Sequence, residues 1–253
     1  MRRKNASQPG TSEERTGSQR SYSVKSARWS AADVLLIDEA AGLMDRVPSY
    51  GHIVVDEAQD LSPMQCRAIA RRSEHGSLTV LGDLAQGTAP WASDDWRTSL
   101  AHLGRPDAPV VPLTVGFRVP SAVVDLANRL LPSLGVSVPE AVSLRRDGLL
   151  SITQVTDLAA STAAAVAEAL TFEGSVAVIC PDAAAPVYAP LADDRVTIVP
   201  ATLAKGLEFD HVIVVEPAEI VAAEPKGLAR LYVVLTRAVS RLTVLHTGTW
   251  PLA

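Results

Sequence analysis

Two carboxylates, Asp56 and Glu57, follow directly on Ile53, Val54 and Val55, inside the stretch that runs from His52 to Asp60. Three apolar β-branched residues before an acidic pair read as a buried parallel strand that delivers acids to its carboxyl end. In an open α/β sheet, ligands sit at that end. Such a pair suits nucleotide hydrolysis, because one carboxylate can hold magnesium while its neighbour orients or deprotonates the attacking water. A strand ending in a solvated acidic turn gives the same pattern, so the rest of the chain has to decide. A second strand, expected at 78–81, ends likewise in polar groups, Gly82-Asp83-Leu84-Ala85-Gln86. Further on, residues 202–210 crowd Lys205, Glu208 and Asp210 around Gly206, which allows a tight backbone approach. Taken alone that segment is a charged turn. Arg230 and Arg237 are seven apart, hence expected on one face of a helix over about 226–239. They form either a solvated basic stripe or an arginine aimed across an interface at a phosphate, whose charge a planar guanidinium stabilises.

The elements that must carry these residues follow from periodicity and punctuation. Ser30 with Asp33 three residues on resembles a capping box, and Val34, Leu35, Leu36 and Leu43 supply the apolar face of a helix. Asp38 and Glu39 in mid-helix imitate the later acidic pair but read as a solvated or packing face. Ser62 as N-cap and Pro63 in the first turn start a helix running to about Arg72. Two strands joined by one helix imply a parallel sheet with a polar rim. Pro106, Pro109 and Pro112 then interrupt periodicity and suit a boundary. Beyond them the sequence predicts a helix over 121–131, strand 150–155, helix 158–170, strands 176–180, 196–199 and 211–215, the helix at 226–239 and strand 242–246. The expected organisation is a disordered basic tail at 1–29 and two α/β lobes of related type, over 30–108 and 109–253.

Composition narrows the class. The chain has 253 residues, 47 % of them apolar, enough for a real core. No run approaches the roughly 18 apolar residues of a membrane span, and no apolar segment follows the basic amino-terminal residues as in a signal peptide. Two isolated cysteines, Cys66 and Cys180, argue for a reducing, cytoplasmic setting without a disulfide or metal framework. The net charge of −5 conceals an asymmetry: residues 1–30 carry +5, leaving −10 on the body. An acidic body is by itself a poor nucleic-acid track, whereas the basic arm is a candidate contact.

The order of these segments carries more than any one of them. Asp-Glu-Ala-Gln after a strand, Gly-Asp-x-x-Gln after the next, Arg118 at a helix start, Ala-Lys-Gly-Leu-Glu-Phe-Asp before a strand and Leu-Tyr-Val-x-Leu-Thr-Arg-Ala near the end form one series. It resembles superfamily 1 helicases of the UvrD/Rep type, with residues 54–60 like motif II, 82–86 like motif III, 113–118 like motif IV, 202–210 like motif V and 231–238 like motif VI. The wording of residues 56–65, 82–91 and 204–217 is most similar to HelD-type proteins, which release and recycle RNA polymerase.

The resemblance implies two RecA-like (P-loop NTPase) parallel-sheet lobes, the first incomplete, and ATP with Mg2+ as cofactors. It implies Asp56 on the magnesium and Glu57 as the water-orienting base. Gln86 would sense the γ-phosphate, and Arg118 and Arg237 would close on it. Gln59, Gly206 and Glu208 would meet the nucleotide, and Trp91 and Thr202 the single strand, most simply single-stranded DNA. RNA polymerase is a further implied partner. A phosphate loop needs Gly-x-x-x-x-Gly-Lys-Ser/Thr, yet the sequence holds no Gly-Lys dipeptide. The resemblance is therefore to the carboxyl-terminal portion of such a helicase, active with a missing amino-terminal part. The competing reading is a non-catalytic remnant that binds RNA polymerase or nucleic acid.

Overall fold

The computed structural model describes residues 28–252. The expected basic tail therefore lies, except for its last two residues, outside the described residues. Helix α1 spans Ala31–Met44, and Ser30 and Asp33 form the reciprocal capping box that the sequence suggested. Strand β1, Ile53–Val55, pairs in parallel with β2, Leu78–Val80. The crossover between them is α2, Pro63–Arg72, capped by Ser62 with Gln65 reaching back to the cap. Helix α3, Trp96–His102, closes a small core in which Cys66, Leu100 and Leu103 pack against Leu78, Val80 and Trp96. The first lobe's sheet has two strands among the described residues, and Val54 is 64 % exposed, so one face of β1 is uncovered.

A short parallel pair, β3 (Val115–Gly116) and β4 (Val142–Ser143), flanks α4 (Ser121–Asn128) and α5 (Leu131–Leu134). The single helix expected at 121–131 is thus two, with Pro132 in the first turn of α5.

The second lobe is a five-stranded, wholly parallel sheet in the order β5 (Leu149–Gln154), β9 (Ala238–His246), β8 (Phe209–Val215), β6 (Val176–Cys180), β7 (Val196–Pro200). Its helices are α6 (Leu158–Ala169), α7 (Ala185–Tyr188), α8 (Pro217–Ala222) and α9 (Gly227–Leu235). All five residues of β6 are buried, as a strand covered on both faces requires. Ala177 and Ile179 point into a core with Leu126, Leu231 and Leu235 from α4 and α9. Val176, Val178 and Cys180 point the other way, toward Val166 and Ala169 of α6. This is an α/β fold of two parallel-sheet lobes, as the sequence implied, with helices on both faces of the larger sheet.

The sequence overextends one helix. Residues 236–239 do not continue α9: Thr236 caps it, its hydroxyl donating to the Tyr232 and Val233 carbonyls, and the chain enters β9 at Ala238. Arg230 and Arg237 consequently do not share a helix face.

Candidate functional site

The parallel register of β1 and β2 places the two acidic loops side by side. Pairing continues past both strands, with the Leu81 N–H donating to the Val55 carbonyl (2.8 Å) and the Ala58 N–H to the Leu81 carbonyl (3.0 Å). Asp56 is exposed, and its Oδ1 accepts the Glu57 N–H at 2.8 Å, leaving Oδ2 free. Glu57 is one of two described non-glycine residues with positive φ, at φ 52° and ψ 35°. That left-handed backbone costs about 1–2 kcal/mol for a residue with a Cβ. It is held there by Gln59, which is fully buried and donates its amide to Glu57 Oε2 at 2.6 Å while accepting the Asp83 N–H at 3.0 Å. Both ends of the Gln59 amide are therefore used within the first lobe, whereas the sequence placed this residue at the nucleotide.

Gly82 explains itself by contact. A Cβ there would lie 2.4 Å from Gln59 Oε1 and 2.8 Å from the Trp96 ring, so only glycine lets the second loop approach the first. Asp83 caps the turn at Leu84–Gln86 through the Ala85 N–H (2.9 Å) and also accepts the Gln86 side-chain amide (2.9 Å).

From the second lobe, three charged side chains of the 202–210 segment go to three different places. Lys205 crosses to the first lobe, where its ammonium donates to Asp60 Oδ2 and the Gln86 carbonyl (3.0 Å) and stands 3.2 Å from Glu57 Oε2. Glu208 pairs with Arg118. Asp210 turns inward to the Ser175 N–H and hydroxyl, which hold its carboxyl below the usual range. Gly206 has φ +77°, a conformation that disfavours side chains.

Arg237 is only 4 % exposed. Its Nε donates to the Val233 carbonyl (2.9 Å) and Nη1 to the Leu207 carbonyl (3.3 Å), while Nη2 reaches Gln86 Oε1 across the cleft (3.1 Å). It thus caps α9 and touches the first lobe at once. Burial, and next the neighbouring Arg118, lower its pKa. At this junction Glu57, Asp60 and Gln86 of the first lobe meet Lys205 and Arg237 of the second, with the Arg118–Glu208 pair near Arg237.

Trp91 lies on the loop after this turn, with its indole N–H donating to the Asp60 carbonyl (2.8 Å) and 54 % of the residue exposed. Thr202 is on the far side of the 202–210 segment, bonded to Asp182, and its carbonyl accepts from Arg230 (3.3 Å). Arg230 is buried and paired with Glu224 at 2.6 Å, so it belongs to no solvated basic stripe. Sequence reasoning saw Lys205 as part of a charged turn and Asp60 as the end of the acidic stretch, but not their contact, because the two lie 145 positions apart.

The site brings acidic groups at a strand's carboxyl end together with a buried arginine, Arg237, and an exposed one, Arg118, where the two parallel-sheet lobes meet. No family model matches the chain. Over 84 residues it is 39 % identical to the ATP-dependent DNA helicase UvrD2 of Mycobacterium bovis and of Mycobacterium tuberculosis, a match that spans 32 % of this chain and 12 % of those relatives. In structure it is similar to the C-terminal domain of a possible DNA helicase from Lactobacillus plantarum (TM-score 0.40, 20 % identity, 54 % of this chain and 91 % of that one). It is also similar to the arterivirus nonstructural protein 10 helicase in complex with DNA (TM-score 0.47, 19 % identity, 79 % of this chain and 40 % of that one). The chain is thus helicase-like in sequence over the matched stretch.

Proposed function

We propose that this chain supplies the hydrolytic and arginine-bearing side of a nucleic-acid-coupled ATPase of the superfamily 1 UvrD/Rep type, with the nucleotide bound between the two lobes. The observation that carries the proposal is the cleft itself, where Arg237 meets Gln86 and Lys205 meets Glu57 across the lobe boundary. The residues fit half of a Mg-ATP site. An exposed carboxylate with one free oxygen at Asp56 suits magnesium, which keeps most of its waters and takes one or two carboxylates. Bound there, Mg-ATP would supply the phosphoryl group to be transferred. Glu57 would orient the attacking water, its carboxylate held by the Gln59 amide beside Lys205. Arg118 and Arg237 would stabilise charge on the phosphoryl oxygens, with Gly206 and Glu208 beside the nucleotide. Gln86 would report occupancy through its bond to Arg237, and Trp91 and Thr202 would face the single strand. Gln59 would act as the brace that positions Glu57.

These residues do not include a phosphate cradle, since the sequence has no Gly-Lys. We therefore expect weak ATP binding by these 253 residues alone, and a calorimetric dissociation constant in the micromolar range would contradict that. The decisive experiment adds a Walker-A-bearing helicase fragment and single-stranded DNA and measures phosphate release. Release no greater than with Glu57→Gln would sink the proposal. The likeness to HelD-type wording makes RNA polymerase the protein partner to test, and failure of the immobilised chain to retain polymerase would remove it.

A further inference from the structure

Lys205 has no step of its own in the reading above beyond its contact with Glu57, and its surroundings are unusual. It rises from the second lobe, is mostly enclosed, and places three contacts on the first: Asp60, the Gln86 carbonyl and Glu57. Asp60 is in turn a junction. Its Oδ1 accepts the Thr88 N–H (2.9 Å) and the Ala89 N–H (3.0 Å), and its backbone carbonyl accepts the Trp91 indole (2.8 Å). One aspartate thus ties the acidic loop, the loop at 87–91 and the other lobe together. The second ion pair between lobes, Lys226 with Asp94, touches neither acidic loop.

We propose that Lys205 is the positioning residue that couples closure of the cleft to the Trp91 loop. With the lobes together, its ammonium neutralises Asp60 and fixes the carboxylate that the Thr88 and Ala89 amides need. Lobe separation withdraws the ammonium and leaves Asp60 paired with amides alone, so the loop carrying Trp91 loosens. The same ammonium leaves Glu57 whenever the lobes part, so the acidic loop and the Trp91 loop change together. This rests on the reading of Trp91 and Glu57 given above only for what the two loops do; the coupling itself is a property of the fold.

The test is amide hydrogen exchange on the full chain, resolved at Thr88 and Ala89, with anisotropy of a labelled oligothymidine as a second readout. Lys205→Ala should speed exchange at both amides about tenfold, and Lys205→Arg should restore protection because the guanidinium keeps the charge. Asp60→Asn, which keeps an acceptor for the amides and loses the charge, should also raise exchange, by less. Lys226→Ala, which breaks the other ion pair between the lobes, should leave these amides as they were. Unchanged exchange in Lys205→Ala, or equal effects of Lys205→Ala and Lys226→Ala, would overturn the coupling. If the unmodified chain fails to bind the oligonucleotide, the nucleic-acid role of Trp91 falls while the exchange data still decide the coupling.

Discussion

The bond between Arg237 and Gln86 can be weighed by a double-mutant cycle. Arg237→Ala removes four hydrogen bonds, three of them within its own lobe, to the Val233 and Leu207 carbonyls and the Thr236 hydroxyl. Gln86→Ala removes the bond to Arg237 and the one to Asp83. The single changes therefore report mixtures, and only the coupling isolates the contact across the cleft. A hydrogen bond to a charged group contributes about 1.5–3 kcal/mol. Here Nη2 also bonds Thr236 Oγ1 at 3.1 Å, which pulls the expected coupling to the low end, about 1–1.5 kcal/mol. Arg237→Ala alone should cost about 2–3 kcal/mol, because the lost carbonyl bonds are offset by relief of a buried guanidinium whose pKa burial already lowers. In urea unfolding followed by circular dichroism, the coupling should appear as non-additive midpoints at constant slope. Additivity within about 0.3–0.5 kcal/mol would mean that the lobes are not joined through this pair, and the cleft as described would be refuted.

Further outcomes follow from other parts of the chain. The hydrogen bonds from Arg72 and then Arg71 hold the Asp38 carboxyl at about 2, below its unfolded value. Its contribution to docking α1 on α2 is therefore complete above about pH 4 and lost as pH falls through about 2. Exchange of α1 amides should rise across that window, and Asp38→Asn should abolish the step. Gly82→Ala should destabilise by about 1–3 kcal/mol through collision with Gln59 and Trp96. Gly206→Ala meets no atom within 4 Å and should cost about 1–2 kcal/mol from its backbone alone. Asparagine, which tolerates the left-handed region, should rescue position 206 and not position 82; equal rescue in melting experiments would refute the distinction. Burial pushes the Cys180 thiol up to about 11 and raises that of Cys66 as well. A disulfide reagent at pH 8 should label neither thiol in the folded chain and both in urea.

Part of the fold was legible because the central strand β6 is covered on both faces. Val176–Cys180 is a continuous apolar run and emerged with its bounds intact, as did the Ser62-capped helix Pro63–Arg72. The failure at residues 236–239 has a local cause: no Gly or Pro marks the end of α9, and Ala238 to Arg241 lacks strand alternation. The chain turns there because Thr236 and Arg237 spend their polar atoms on the Tyr232 and Val233 carbonyls, and because β9 is wanted in the sheet between β5 and β8. At the cleft, the acidic pair and the arginines were visible as residue types in order. The brace formed by Gln59 and the reach of Lys205 were not, since each joins positions with no local pattern between them.

The placement of β9 carries a kinetic consequence. Its partners on one side, Leu149–Gln154, precede it by some ninety positions, and it separates them from the other three strands of the sheet. Before residues 238–246 are in place, β5 has no neighbour, while β8, β6 and β7 form a three-stranded remnant with the β8 edge unpaired. Closing such long loops before any pairing is gained makes parallel sheets slow to form. The vulnerable species on this chain's folding route is therefore the open sheet, with two apolar strand edges exposed to other chains until β9 slots between them.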